Sequence, residues 1–190
     1  MQTYFNTDEL RLIQDKSWFA LKVKSSEKTM SILTTLQHNV IKNNVLTFIQ
    51  GVKEGKITKG ENLLGFPYFV LDLPQLSSEA EICSIRVIVW WGNYVSVNLL
   101  VGVNNFNRLK NKLREKMPLL QSESFFVSKI DSLWHHDLDN TNHYMRSQFL
   151  KQEYFDASRS FKVAIKFDLS VLNEIEVLES AIKTLNNMLV

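Results

Sequence analysis

Residues 84 to 102 read SIRVIVWWGNYVSVNLLVG. Two runs rich in β-branched and aromatic residues flank Gly92-Asn93, and glycine in the first central position of a two-residue loop suits a type II′ turn between antiparallel strands. Such a loop predicts that Trp91 faces Tyr94, Val89 faces Ser96, Val87 faces Asn98 and Ile85 faces Leu100 on one side of the sheet. Trp90 with Val95, Ile88 with Val97 and Arg86 with Leu99 then occupy the other. The Trp90 side, apolar except for Arg86, is expected to pack on helices. The Trp91 side, with Tyr94, Ser96 and Asn98, is expected to be half-solvated or to line a ligand or partner surface.

Working outward, Tyr68–Leu73 lies between Pro67 and Pro74 and reads as a buried strand. Phe125–Ile130, extended toward His136, and Phe161–Phe167 read as further strands. Asn6 with Glu9 forms a capping-box pair that predicts a short helix from Thr7. Met30, Leu33, Leu36 and Val40 recur at helical spacing in a long helix that stops at or before Gly51. Lys53–Gly65 reads as the longest loop. Phe106, Leu109 and Leu113 mark a helix ended by Pro118, and Tyr144–Tyr154 reads as a short helix or an irregular excursion. Ser170 is expected to cap a closing helix striped by Leu178, Ile182, Leu185 and Leu189. The order of elements predicts one α+β domain over residues 1–190. An antiparallel sheet is built around the hairpin at about 82–102, with helices mainly on one face. A helical segment at about 7–50 precedes the sheet-bearing remainder, 66–190.

Composition narrows the function classes. Apolar residues make up 45% of the 190, and 22 Lys plus Arg against 20 Asp plus Glu leave a net charge of +2. That field is too small to argue for nucleic acid. NRLKNKLREK, residues 107–116, concentrates cations but interleaves no aromatics, so it reads as a solvated helix face. The longest strongly apolar run is far short of the roughly 20 residues that span a bilayer. A single cysteine, Cys83, and the absence of a signal-like start lead to the expectation of a cytoplasmic protein with no membrane partner.

PYFVLDLP (67–74) followed by the hairpin resembles a group of small uncharacterised bacterial proteins of Bacteroidetes type, over roughly the central third of the chain. That group carries no assigned activity, so the resemblance implies no catalytic residues.

Chemistry-bearing residues gather in SLWHHDLDNTNHY (132–144). His136, His143 and Asp137 are competent ligands for a divalent metal, with His135 or Asp139 available for acid–base work, which sketches a metal-assisted hydrolase. No familiar metal spacing is present, and the reading that needs no cofactor is a polar strand end and loop. Strand alternation would send His135 and His136 to opposite surfaces. Arg86, on the face expected to be apolar, needs a carboxylate, from Asp72 or Glu81. Glycines are too far apart for a phosphate-cradling loop, and no nucleophile elbow is present. The chain therefore reads as a non-enzymatic domain binding a protein or small ligand through the Trp91/Tyr94 sheet face, with the hydrolase as the alternative. A homodimer through the closing helix is a further expectation.

Overall fold

The computed structural model describes residues 4–48 and 54–190. Asn6 and Glu9 form the reciprocal capping box, and α1 (Thr7–Gln14) follows. Asp15 ends it with extended backbone and immediately caps α2 (Lys16–Lys42), accepting from the Ser17 and Trp18 amides. The two helices are thus separate, and α2 begins fourteen residues before Met30, the first apolar residue of the expected stripe. Gly51, where the long helix was expected to have stopped, lies outside the described residues.

Seven antiparallel strands form one sheet. They are β1 (Lys56–Leu63), β2 (Phe66–Leu73), β3 (Cys83–Trp90), β4 (Tyr94–Val101), β5 (Phe126–Ser128), β6 (Tyr144–Arg146) and β7 (Phe161–Phe167), in the spatial order β1-β2-β3-β4-β7-β5-β6. Between them run α3 (Val103–Glu115), α4 (Met117–Ser122) and α5 (Gln152–Ala157), and α6 (Ile175–Asn186) closes the fold. The chain is α+β, as its order of elements predicts.

The central hairpin closes one residue differently from expectation. Trp90 pairs with Tyr94, Val89 with Val95, Ile88 with Ser96, Val87 with Val97, Arg86 with Asn98 and Ile85 with Leu99. The loop has three residues, Trp91-Gly92-Asn93. Gly92 takes the positive φ of 75°, the Asn93 amide donates to Trp90 O, and the Trp91 amide donates to Pro67 O of the neighbouring strand. A slip of one residue reverses the side-chain grouping of one strand relative to its neighbour. Ile85, Val87, Val89, Val95, Val97 and Leu99 therefore share one face. On it they form a single core with Leu33 and Leu36 of α2, Phe106 of α3 and Leu178 and Ile182 of α6. Trp90, expected on this helix-covered side, lies on the opposite face with Arg86, Tyr94, Ser96 and Asn98.

Among the described residues, no helix supplies the main cover of that second face. Residues 129–143 cross it as a strap, with Leu133 and Leu138 buried as its apolar anchors. Both faces being covered explains why β3 and β4 are buried almost throughout. The strand expected to run from Phe125 toward His136 ends at Ser128, and the chain turns into the strap.

Three other expectations change. Lys53–Gly65 contains β1, which pairs with β2 through a Leu64-Gly65 turn with both φ positive, at 51° and 90°. The sheet-bearing part therefore begins at Lys56. Gly60 belongs there because a Cβ would stand 2.4 Å from the Tyr68 ring. Pro118 does not end α3; it stands in the first turn of α4, where its missing N–H leaves no helical bond unmade. Ser170 lies in a short 3-10 turn capped by Asp168, ahead of α6.

Candidate functional site

The corrected register brings together residues that the sequence assigned to separate sites. β2 contributes Asp72, β3 Arg86, β4 Tyr94, Ser96 and Asn98, and β7 Lys162, all on the strap-covered face. The strap adds His136. Trp91, grouped with Tyr94 by the sequence, points to the helix side and packs on Phe69, ring centroids 5.2 Å apart.

Arg86 and Asp72 sit opposite each other on paired strands and form a bidentate ion pair, Nε to Oδ1 at 2.7 Å and Nη2 to Oδ2 at 3.0 Å. Both side chains are buried, so the planar fork matters: it satisfies two carboxylate oxygens at once. Glu81, the other carboxylate considered, instead accepts from the Asn104 amide. The third guanidinium nitrogen, Nη1, reaches His136 Nε2 at 3.3 Å, and Trp134 lies over the guanidinium. Asn98 donates to Arg86 O and Ser96 Oγ, while its Oδ1 has no partner among the described residues.

Lys162 is the residue that sequence reasoning missed. Its side chain is 1% exposed, and Nζ meets Leu133 O at 3.1 Å, His135 O, and His136 Nδ1 at 3.0 Å. Arginine can only donate, so His136 Nε2 accepts and the ring proton stands on Nδ1. Nδ1–H then donates to Lys162 Nζ, which needs a free lone pair. An uncharged amine, its two hydrogens on the two carbonyls, satisfies all of these contacts at once. Charge balance agrees, because Asp72 is already neutralised by Arg86 and a lysine cation would be buried without an anion. Burial, followed by the Arg86 charge, holds Lys162 well below the ordinary lysine range. Burial, then the neighbouring basic groups, likewise holds His136 well below the ordinary imidazole range, so it too is uncharged.

These groups fasten the strap. Tyr94 Oη donates to His136 O at 2.9 Å and accepts from the Leu138 amide at 2.7 Å, and Tyr144 Oη donates to His135 O. Farther out, Lys166 grips the Asp139 carboxylate at 2.5 and 2.6 Å.

The expected metal ligands are not brought together. His136 has both ring nitrogens against Arg86 and Lys162, whereas His143 lies beside His135 with ring centroids 4.4 Å apart. The Asp137 carboxylate accepts from the Asp139 amide. Among the described residues, no three His, Cys, Asp or Glu side chains are grouped to hold a metal ion. Burial pushes the Cys83 thiol up to about 12, which makes it a poor nucleophile.

The helix side has a different character at its amino-terminal end. α1 contains no buried residue, and the first one in α2 is Thr29. This arm exposes Leu10, Leu12, Trp18, Phe19, Leu21 and Val23. At its base a cleft of about 680 Å³ runs between α2 and the β1–β2 turn, walled by Trp18, Leu21, Phe66, Pro67 and Trp91. The Lys22–Glu61 ion pair, 2.8 Å, lies along it. α6 offers no comparable face, since Leu178, Ile182 and Leu185 are fully buried in the chain's own core. The cations of α3 are partly engaged: Lys110 and Arg114 both meet Asp156. No helix of the described residues is long and apolar enough to cross a membrane.

No family model, curated protein or solved structure matches the chain.

Proposed function

We propose that the protein is a protein-binding domain whose contact surface is the α1–α2 arm together with the Trp18–Trp91 cleft at its base. The observation that carries this reading is the set of large apolar side chains on the arm that nothing among the described residues covers. Contiguous exposed apolar surface on a folded domain marks a place where another surface docks. Aromatic residues beside a cleft, rimmed by an ion pair, have the composition of an interface centre and its edge. Helix length adds a second reason. An eight-residue helix that buries no residue is well below the roughly 12 to 15 residues that hold in water, so α1 needs cover to persist.

Of the surface expected from the sequence, this reading keeps Trp91 and gives up Tyr94, Ser96 and Asn98, which are buried on the opposite face. A photo-crosslinking residue at Leu21, introduced in the full chain in living cells, tests it. Adducts to protein are expected at Leu21 and absent at the exposed control position Glu153. Equal labelling at the two positions would count against the surface.

A further inference from the structure

We infer that the occupant of the arm is a second copy of this chain, the two α1–α2 arms crossing antiparallel about a two-fold axis near residues 16 and 17. The inference rests on the protein-binding reading above and adds the identity of the partner.

Charge points to it first. α1 carries Asp8 and Glu9 against Arg11, whereas the first half of α2 carries Lys16, Lys22, Lys24 and Lys28 against Glu27. One arm thus joins an acidic segment to a basic one. A two-fold interface places the same patch on both partners, with residue i on j and j on i, so an arm of opposite-signed halves complements its own copy when reversed.

The spacing of apolar residues then sets a register. Setting Leu12 against the partner's Leu21 in an antiparallel pair brings Glu9, one turn before Leu12 on the same face, onto Lys24, one turn beyond Leu21. The same alignment puts Asp8 opposite Ser25, between Lys24 and Lys28. Leu10, Leu12, Ile13, Leu21 and Val23 are all exposed in the single chain, Leu21 at 63%. Leu21, Lys24 and Lys28 lie at three- and four-residue steps on one face of α2, as Asp8 and Leu12 do on α1. Leu12 of each α1 would therefore gain the apolar cover that the described residues of its own chain do not supply.

Sedimentation equilibrium of the full chain over a wide concentration range, with circular dichroism and thermal melting to confirm folding, decides the matter. The wild-type chain is expected to dimerise. Leu21→Asp, whose side chain contributes nothing to the core, should fold normally and weaken the dimer by more than about a hundredfold. Asp8→Lys should weaken it roughly tenfold, Lys24→Glu with Lys28→Glu should do the same, and the three together should recover most of the loss. That recovery distinguishes a second copy from any other partner. A wild-type chain that stays monomeric overturns the inference, as does a dimer that ignores Leu21→Asp or a triple variant no stronger than either reversal alone. Protein adducts at Leu21 from a monomeric chain would leave the protein-binding reading standing while removing this one; no adducts and no dimer would remove both.

Discussion

Replacing Lys162 with Met keeps the length of the side chain and removes its amine. If the native lysine is uncharged, unfolding releases it to water, where it binds a proton. The folded chain then holds one proton fewer than the unfolded chain. Stability must therefore rise with pH, by about 1.4 kcal/mol per pH unit, until the ordinary lysine range near 10.4 is reached. Between about pH 7 and about pH 9 that is roughly 2.7 kcal/mol from one side chain. Lys162→Met abolishes this slope. It also strips Leu133 O of its donor and His136 Nδ1–H of its acceptor, at about 1 to 3 kcal/mol each, while His135 O keeps the Tyr144 hydroxyl. Near neutrality the lost hydrogen bonds oppose the relief of no longer holding a lysine uncharged, so the variant's net stability change there is small. It should grow more unfavourable as pH rises. Urea denaturation of both proteins at several pH values gives the difference directly, because every other titrating group cancels. Parallel stability curves would refute the uncharged lysine and the tautomer assigned to His136.

Other substitutions test the same face. Asp72→Asn leaves the Arg86 guanidinium buried without its counter-charge and should cost about 3 to 5 kcal/mol by chemical denaturation, whereas replacing both residues by apolar ones should cost much less. Tyr94→Phe removes the hydroxyl shared by His136 O and Leu138 N; a loss of about 1 to 3 kcal/mol is expected, with faster amide exchange at Leu138 and little change in β3. Gly92→Ala forces a side chain into a left-handed φ and 3.0 Å from the Phe66 ring, so about 1 to 2 kcal/mol of melting stability should be lost. Asn6→Ala should lower arm helicity, at about 0.5 to 2 kcal/mol, without moving the melting of the sheet.

Much of the fold was legible because its signals are local. The Asn6–Glu9 pair, the Leu33–Leu36–Val40 stripe and the β-branched runs around Gly92 each act within a few residues. The register was legible too, but in a different feature from the turn. In β3 and β4 the odd-numbered residues from Ile85 to Leu99 are apolar in both strands, and Arg86, Ser96 and Asn98 are all even-numbered. Grouping by polarity demands a three-residue loop, which outweighs the preference of Gly-Asn for a two-residue turn. β1 left no trace because it is an edge strand with much of its length exposed, so its side chains need no alternation. Lys162 was invisible for the opposite reason. Its burial depends on strap residues Leu133, His135 and His136, at least 26 residues earlier in the chain, and Leu133 and Leu138, apolar residues within a polar run, hinted that this segment folds back. The paired Arg86 and Asp72 were foreseeable because a buried guanidinium requires a carboxylate on a neighbouring strand. His136 with His143 failed as a pair because the strap, unlike a strand and turn, leaves His143 against His135.

Amide hydrogen exchange across residues 7–25, compared between concentrated and highly diluted wild-type protein, bears most directly on the arm as the surface that pairs two copies of the chain. Protection of α1 and the first turns of α2 at high concentration, lost on dilution while β3 and β4 stay protected throughout, is the expected result. An arm that exchanges at the same rate at both concentrations would contradict it.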